Sequence, residues 1–419
     1  MEEQMMWHIL GRDLTPYAVS IWIAGLAALG VFLWQGKRLK LSARLWTVGL
    51  GVLLGLLGAR AYYVLARLEL FLDQGLDNFF TASDPELATW GAVSGAAFFG
   101  AVGGVCLAAL LAGRITKEKV SSILDALAPA AALGIAVSRL GENSIGEGIG
   151  PEVYEEGLQF FPLAVMNEWE EWNYALFLLE ALAGLIIFVL LMTRGRKLTG
   201  GYRARLFLVL YCSSQIVFEA LRRDNFLRWL FVRVSQVAAA LILLGLVIFG
   251  LLRRARGKGE GGKSVLKTAG CAVLFFLGGF VGFLTVQLGY SLLTAGSLPE
   301  WSGALWWQLI CDGWPVTLAV LAALAAVCIL QGRGRREWTE KQMAVRLTAF
   351  LSAAVIVIAM EFGIDKSASL DPAVGYLAEA LCCLIMGVST WQLIREKKDS
   401  GDEAAQGRNT EAPKAVVQR

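Results

Sequence analysis

Apolar residues along this chain come in blocks of about twenty bounded by short polar stretches, the length needed to cross roughly 30 Å of hydrocarbon as a helix. The blocks predict helices near 17–35, 45–66, 91–113, 122–138, 173–193, 205–221 and 233–252. Four more follow near 265–290, 315–331, 346–362 and 372–393. The fourth block is interrupted by Asp125 and Pro129, the sixth by Gln215 and Glu219. The pattern predicts an all-α, polytopic transmembrane bundle of about 11 spans.

Charge in the connections orients that bundle. Lys37, Arg38, Lys40 and Arg44 follow span one, Arg114, Lys117 and Lys119 follow span three, and Arg194, Arg196, Lys197, Arg203 and Arg205 follow span five. Arg253, Arg254, Arg256 and Lys258 follow span seven, a basic cluster at 332–346 follows span nine, and Arg395, Lys397 and Lys398 follow span eleven. The alternate loops 69–86, 142–171 and 365–371 are acidic or mixed. Positive charge on every second connection places the N-terminus outside and the C-terminus inside. The first block follows an acidic start, MEEQ, and ends in WQGKRLK without a small-residue cleavage site, so it reads as a span rather than a cleaved signal.

Composition agrees: 56% hydrophobic and 17% charged residues among 419 exclude an ordinary soluble domain. The net charge of +3 comes with no basic–aromatic interleaving, so no nucleic-acid partner is expected. The seven cysteines lack metal-ligand spacing and the lone histidine, His8, excludes a histidine cluster, so no metal or other cofactor is expected. Tryptophans near span ends, among them Trp34, Trp90, Trp172, Trp301, Trp306 and Trp307, read as an interfacial belt. GVLLGLLGAR (51–60) and GAVSGAAFFGAVGG (91–104) space small residues three and four apart, which permits close helix approach.

Ionisable residues at membrane depth are costly and need a partner or a wet cavity. Arg60, Arg139, Glu147, Glu219 and Arg222 gather at one level, the outer boundary, while Asp125 and Glu180 fall at inner or middle depth. Arginines at that level suit a phosphate, whose oxygens match a guanidinium fork; alternatively they reach the interface and pair with neighbouring acids. Glu361, Asp365 and Glu379 are the notable acids of the last four blocks.

SRLGENSIGEGIG (138–150) resembles the signature of the prolipoprotein diacylglyceryl transferases, with Arg139, Gly141, Glu147 and Gly150 in register. Asn143 lies one place after the signature's first asparagine, and Glu142, Ser144 and Ile145 depart from it. Tyr17, the stretch Arg60–Tyr62–Tyr63, the helix NYALFLLEALAG and the segment YCSSQIVFEALRRDN, with Tyr211, Glu219 and Arg222, are similar to family segments in the same order. The resemblance covers roughly 10–252, a seven-span domain, leaving a basic linker at 253–264, an additional four-span part at 265–395 and a polar tail at 396–419.

The resemblance implies a bacterial plasma-membrane enzyme, monomeric, moving diacylglyceryl from phosphatidylglycerol to the thiol of a lipobox cysteine on a prolipoprotein signal peptide. It implies catalytic roles for Arg139, Glu147 and Glu219, and substrate contacts for Tyr17, Arg60, Tyr63, Asn143, Gly150, Tyr211 and Arg222. Two further departures bear on the reaction: Phe99 stands where the family has a histidine, and Gln215 where it has an arginine. The alternatives are a divergent phospholipid-binding or headgroup-transferring protein that has lost the reaction, and a transporter or structural protein.

Overall fold

The computed structural model describes residues 7–9, 12–66, 68, 98–167, 169–223, 228–229, 232–257, 261–295, 314–332, 339–364 and 372–394. Outside them lie the loops 69–86 and 365–371, residues 91–97 of the third expected span, Trp90, Trp301, Trp306, Trp307 and the tail from 396; of Glu361 only the backbone is described.

Among the described residues eleven helices lie at the places of the eleven apolar blocks. They are α1 (Pro16–Gln35), α2 (Leu41–Ala66), α3 (Phe98–Thr116), α4 (Val120–Arg139), α5 (Leu176–Thr193), α6 (Tyr202–Leu221), α7 (Val234–Gly257), α8 (Gly261–Ala295), α9 (Trp314–Gly332), α10 (Glu340–Ile364) and α11 (Pro372–Ile394). Among the described residues ten are long and apolar enough to cross a membrane, and the apolar run of α9, Trp314–Leu330, is shorter. Three two-stranded antiparallel hairpins lie between helices or before them: β1 (Trp7–Ile9) with β2 (Arg12–Leu14), β3 (Ala164–Met166) with β4 (Trp172–Tyr174), and β5 (Arg228–Trp229) with β6 (Val232–Arg233). The stretch expected as a basic linker is helical through Gly257 and again from Gly261.

The interrupted blocks are continuous helices, for identifiable reasons. Pro129 sits inside α4 among buried neighbours, where packing offsets the hydrogen bond that proline removes. Asp125 serves the next helix but one. Its carboxylate accepts the backbone N–H of Gly201 at 2.8 Å and of Ala204 at 3.0 Å, satisfying amides that the start of α6 leaves without an intrahelical acceptor. Replacing Asp125 with alanine is expected to destabilise the protein by about 1–3 kcal/mol. Thermal unfolding in detergent measures it, and Asp125→Asn, which keeps an acceptor, should lose less.

The glycine-spaced segments meet as their spacing predicts. A methyl group at Gly58 or Gly100 would overlap the other's carbonyl, and one at Gly104 would overlap the Leu54 carbonyl, so α2 and α3 touch backbone to backbone. A main apolar core joins α4, α5, α6 and α7 to the last helices through Leu243, Leu321, Phe350 and Ile385. In it α11 lies along α6 and α7: a Cβ on Gly387 would stand 2.7 Å from Ser213 Oγ, and one on Gly250 2.9 Å from the Leu393 carbonyl. A smaller core of Phe32, Ala109, Ala112, Ile123 and Ala130 ties α1, α3 and α4.

Candidate lipid-phosphate site

The ends of α4 and α6 and the starts of α1 and α5 converge on the loop that follows Arg139, and the start of α7 is tied to α6. After α4 the chain makes a 3-10 turn, Glu142–Ile145, and reverses through Gly146 and Gly148 at φ of 71° and 73°. Those left-handed values suit glycine, which has no Cβ to clash. Backbone hydrogen bonds then fasten the loop to its neighbours. Phe177 N–H donates to the Gly148 carbonyl and Arg223 N–H to that of Ile149, both at 2.9 Å, while Gly150 and Tyr174 join through a 2.9 Å bond beside the β3–β4 hairpin. Tyr17 N–H donates to Ser144 Oγ at 3.0 Å, so the turn is also pinned to the start of α1.

This closure assembles a buried ring of two arginines and two glutamates. Arg139 pairs with Glu142 through Nη1, and with Glu180 through Nε at 2.7 Å. Arg222 pairs with Glu142 at 2.7 Å and with Glu180 at 2.8 Å. The side chains of Arg222 and Glu180 are 2% exposed, whereas that of Arg139 retains 12%, making it the more accessible cation. Each carboxylate bridges both guanidinium groups, so the four charges offset one another in a site from which bulk water is largely excluded. A pair buried this way contributes little net stability over an apolar isostere, but removing one member is costly.

A second polar group adjoins the ring through Arg222. Arg233, at the end of β6, donates Nη2 to the Arg222 carbonyl at 2.6 Å and lies 3.8 Å from Glu219 Oε2. Gln215 donates its amide to Glu219 Oε1 at 2.9 Å. Gln236 Oε1 accepts the Arg233 backbone N–H at 3.1 Å, the reach-back of a capping box at the start of α7, and its amide donates to the Ile216 carbonyl at 3.3 Å. Tyr62, from α2, donates its hydroxyl to the Val234 carbonyl at 3.2 Å.

The residues expected from sequence occupy different parts of this arrangement. Arg139 and Arg222 stand in the ring itself, and Glu219 in the adjoining group. Tyr211 is buried with its ring stacked on Phe207 at 5.7 Å and 10°, within electrostatic reach of Arg139 and Glu180. Phe99 packs its ring 6.2 Å from that of Tyr211. Glu147 is half-buried in the loop and acts electrostatically on Tyr17. Gly150 anchors the hairpin, Asn143 is exposed, and Arg60 lies with its guanidinium 5.3 Å from the centre of the Tyr63 ring. The ring closes on its four members without Arg60, Tyr63 or Asn143.

Glu180 corrects its expected depth: it bonds directly to Arg139 and Arg222, because it lies near the start of α5 rather than its middle. Glu142, read as a departure from the signature, is an integral bridge. Arg233 was missed altogether. An arginine in FVRVSQ, at the mouth of an apolar block, carried the same signal of costly charge at depth that singled out Arg139. Among the described residues no group of three or more His, Cys, Asp or Glu could hold a metal ion.

The family profile described as prolipoprotein diacylglyceryl transferase matches residues 4–251. A phosphatidylglycerol–prolipoprotein diacylglyceryl transferase of Mycobacteroides abscessus is 28% identical over 278 residues, covering 59% of this chain and 76% of that protein. The protein of the same name from Oceanobacillus iheyensis is 28% identical over 253 residues, 58% of this chain and 85% of that one. Its namesake from Streptococcus pyogenes is 31% identical over 216 residues, 49% of this chain and 76% of that one. With the profile spanning more than half its length, over the helices that build the ring, the chain belongs to the prolipoprotein diacylglyceryl transferase family.

Proposed function

We propose that this protein transfers the diacylglyceryl group of phosphatidylglycerol to the thiol of a lipobox cysteine in a prolipoprotein signal peptide. The observation that carries the reading is the buried Arg139–Glu142–Arg222–Glu180 ring within the matched region. An incoming phosphate meets Arg139 first, and its oxygens replace carboxylate oxygens in the guanidinium fork. The thiolate sulfur attacks the glycerol carbon that bears the phosphate ester. A C–S bond forms as the C–O bond breaks, and glycerol phosphate departs with the bonding electrons. Arg139 and Arg222 stabilise the charge developing on the leaving phosphate, and the same cations lower the pKa of the incoming thiol. Glu147 accepts the thiol proton, since Phe99 has no group that can. Glu219 holds the last turn of α6, and Tyr17, Arg60, Tyr63 and Tyr211 flank the headgroup.

In this reading the chain is a monomer of the bacterial cytoplasmic membrane with its N-terminus outside and C-terminus inside, as the alternating basic loops indicate. The reaction belongs to residues 1–252. The helices of 265–395, joined by the basic stretch 253–264, buttress α6 and α7, and 396–419 forms a cytoplasmic tail.

Purified protein in phosphatidylglycerol vesicles with a lipobox peptide tests the proposal. Diacylglyceryl peptide and free glycerol phosphate are expected in equal amounts. Arg139→Ala should lower turnover about 10²–10³-fold. Phe99 and Gln215 favour a second reading, a phospholipid-binding protein without the transfer step. Phosphatidylglycerol retained in an Arg139-dependent way, with no peptide modified, would decide for it.

A further inference from the structure

We infer that Arg233 is a positioning residue of this site, supplying against Glu219 the guanidinium that position 215, a glutamine, does not, and thereby fixing where Arg222 enters the ring. This rests on the proposed reading of the ring as the phosphate site.

One face of α6 carries position 215, Glu219 one turn later and Arg222 at the helix end. Gln215 reaches the Glu219 carboxylate at 2.9 Å, but its amide brings no charge. The charge comes from outside the helix. Arg233 is 4% exposed, and its guanidinium addresses the Glu219 side chain at 3.8 Å and the Arg222 carbonyl at 2.6 Å. One planar group therefore spans the last turn of α6, from the residue facing Gln215 to the backbone of the ring arginine. Its own backbone is held by Gln236, whose amide also bonds Ile216, so the β5–β6 hairpin and the start of α7 are fastened to two backbone carbonyls at the end of α6, those of Arg222 and Ile216.

Charge at this position is hard to explain by stability alone. A buried ion pair contributes little over an apolar pair of the same volume, whereas a guanidinium held against the Glu219 carboxylate braces the last turn of α6 and so restricts the rotation and height of the Arg222 side chain that bridges Glu142 and Glu180. Gln215 is also where the resemblance leads one to expect an arginine. Because its side chain already touches Glu219, an arginine at 215 would place its guanidinium on the same carboxylate.

The test is a charge relocation read by two assays, turnover with a lipobox peptide and phosphatidylglycerol retained by the purified protein. R233Q is expected to lose about 100-fold in turnover, the scale of a small misplacement of a reacting group, and to retain less phosphatidylglycerol. R233K keeps the charge but not the fork and should fall between. The double variant R233Q/Q215R should recover most of both losses.

A folded R233Q with wild-type turnover and lipid retention overturns the inference. So does a folded double variant no better than R233Q, because a purely structural staple to the Arg222 carbonyl is not replaced from position 215. If R233Q does not fold, R233K compared with R233K/Q215R gives the same contrast. If the wild type binds phosphatidylglycerol without transfer, while R233Q loses and Q215R restores that binding, the transferase reading falls and this inference stands. Absence of phosphatidylglycerol binding in the wild type overturns both.

Discussion

Glu180→Ala is expected to destabilise the folded protein by about 3–5 kcal/mol, the cost of leaving a buried charge without its partner, and to abolish transfer. Glu180 is 2% exposed and bridges Arg139 Nε and Arg222 Nε at 2.7 and 2.8 Å. Without it two guanidinium groups share one carboxylate, Glu142, in a space that admits little water. The remaining like charges repel, and Arg222, at 2% exposure, is shielded from solvent. Thermal unfolding in detergent and the vesicle assay should both respond. Glu180→Gln preserves shape and acceptor capacity on one oxygen, so it should lose less stability but still misplace Arg139. An alanine variant that melts with the wild type would show that the ring is not the electrostatic unit described.

The second large effect is expected at Gly104. Its Cα faces the Leu54 carbonyl so closely that a methyl group would overlap it, and the partner atoms are backbone, which has no rotamer to relieve the clash. Gly104→Ala must therefore push α2 away from α3, undoing the neighbouring contact between Gly58 and Gly100 as well. Overpacking of this kind costs about 1–3 kcal/mol and sometimes more, and Gly104→Leu should prevent the two helices from packing at all. Gly103 is the control, since a Cβ there meets nothing within 4 Å. Gly103→Ala should be neutral or slightly stabilising through helix propensity. Equal melting temperatures for the two alanine variants would refute the backbone contact.

Both effects show where sequence and structure part. The polytopic helical bundle and the placement of its described helices were legible because lipid imposes a length and offers backbone groups no partner. Even the blocks broken by Pro129 and by Gln215 and Glu219 formed whole helices. The small-residue spacing of 51–60 and 91–104 likewise announced an approach that the structure places at Gly58, Gly100 and Gly104. The site was legible only as a set of costly charges. Arg139, Glu219 and Arg222 stood out by depth, and Glu142 read as a mismatch in a motif.

The sequence by itself determined the helices and the alternating charge of their connections, since both follow from local composition. Only the tertiary structure decided which charge meets which. Arg222 finds Glu180 across 42 residues and Glu142 across 80, and Arg233 reaches Glu219 from another hairpin. No spacing rule encodes those pairings. They are chosen when four helix ends close on one loop, and charges too costly to leave alone in a dry interior take the partners within reach.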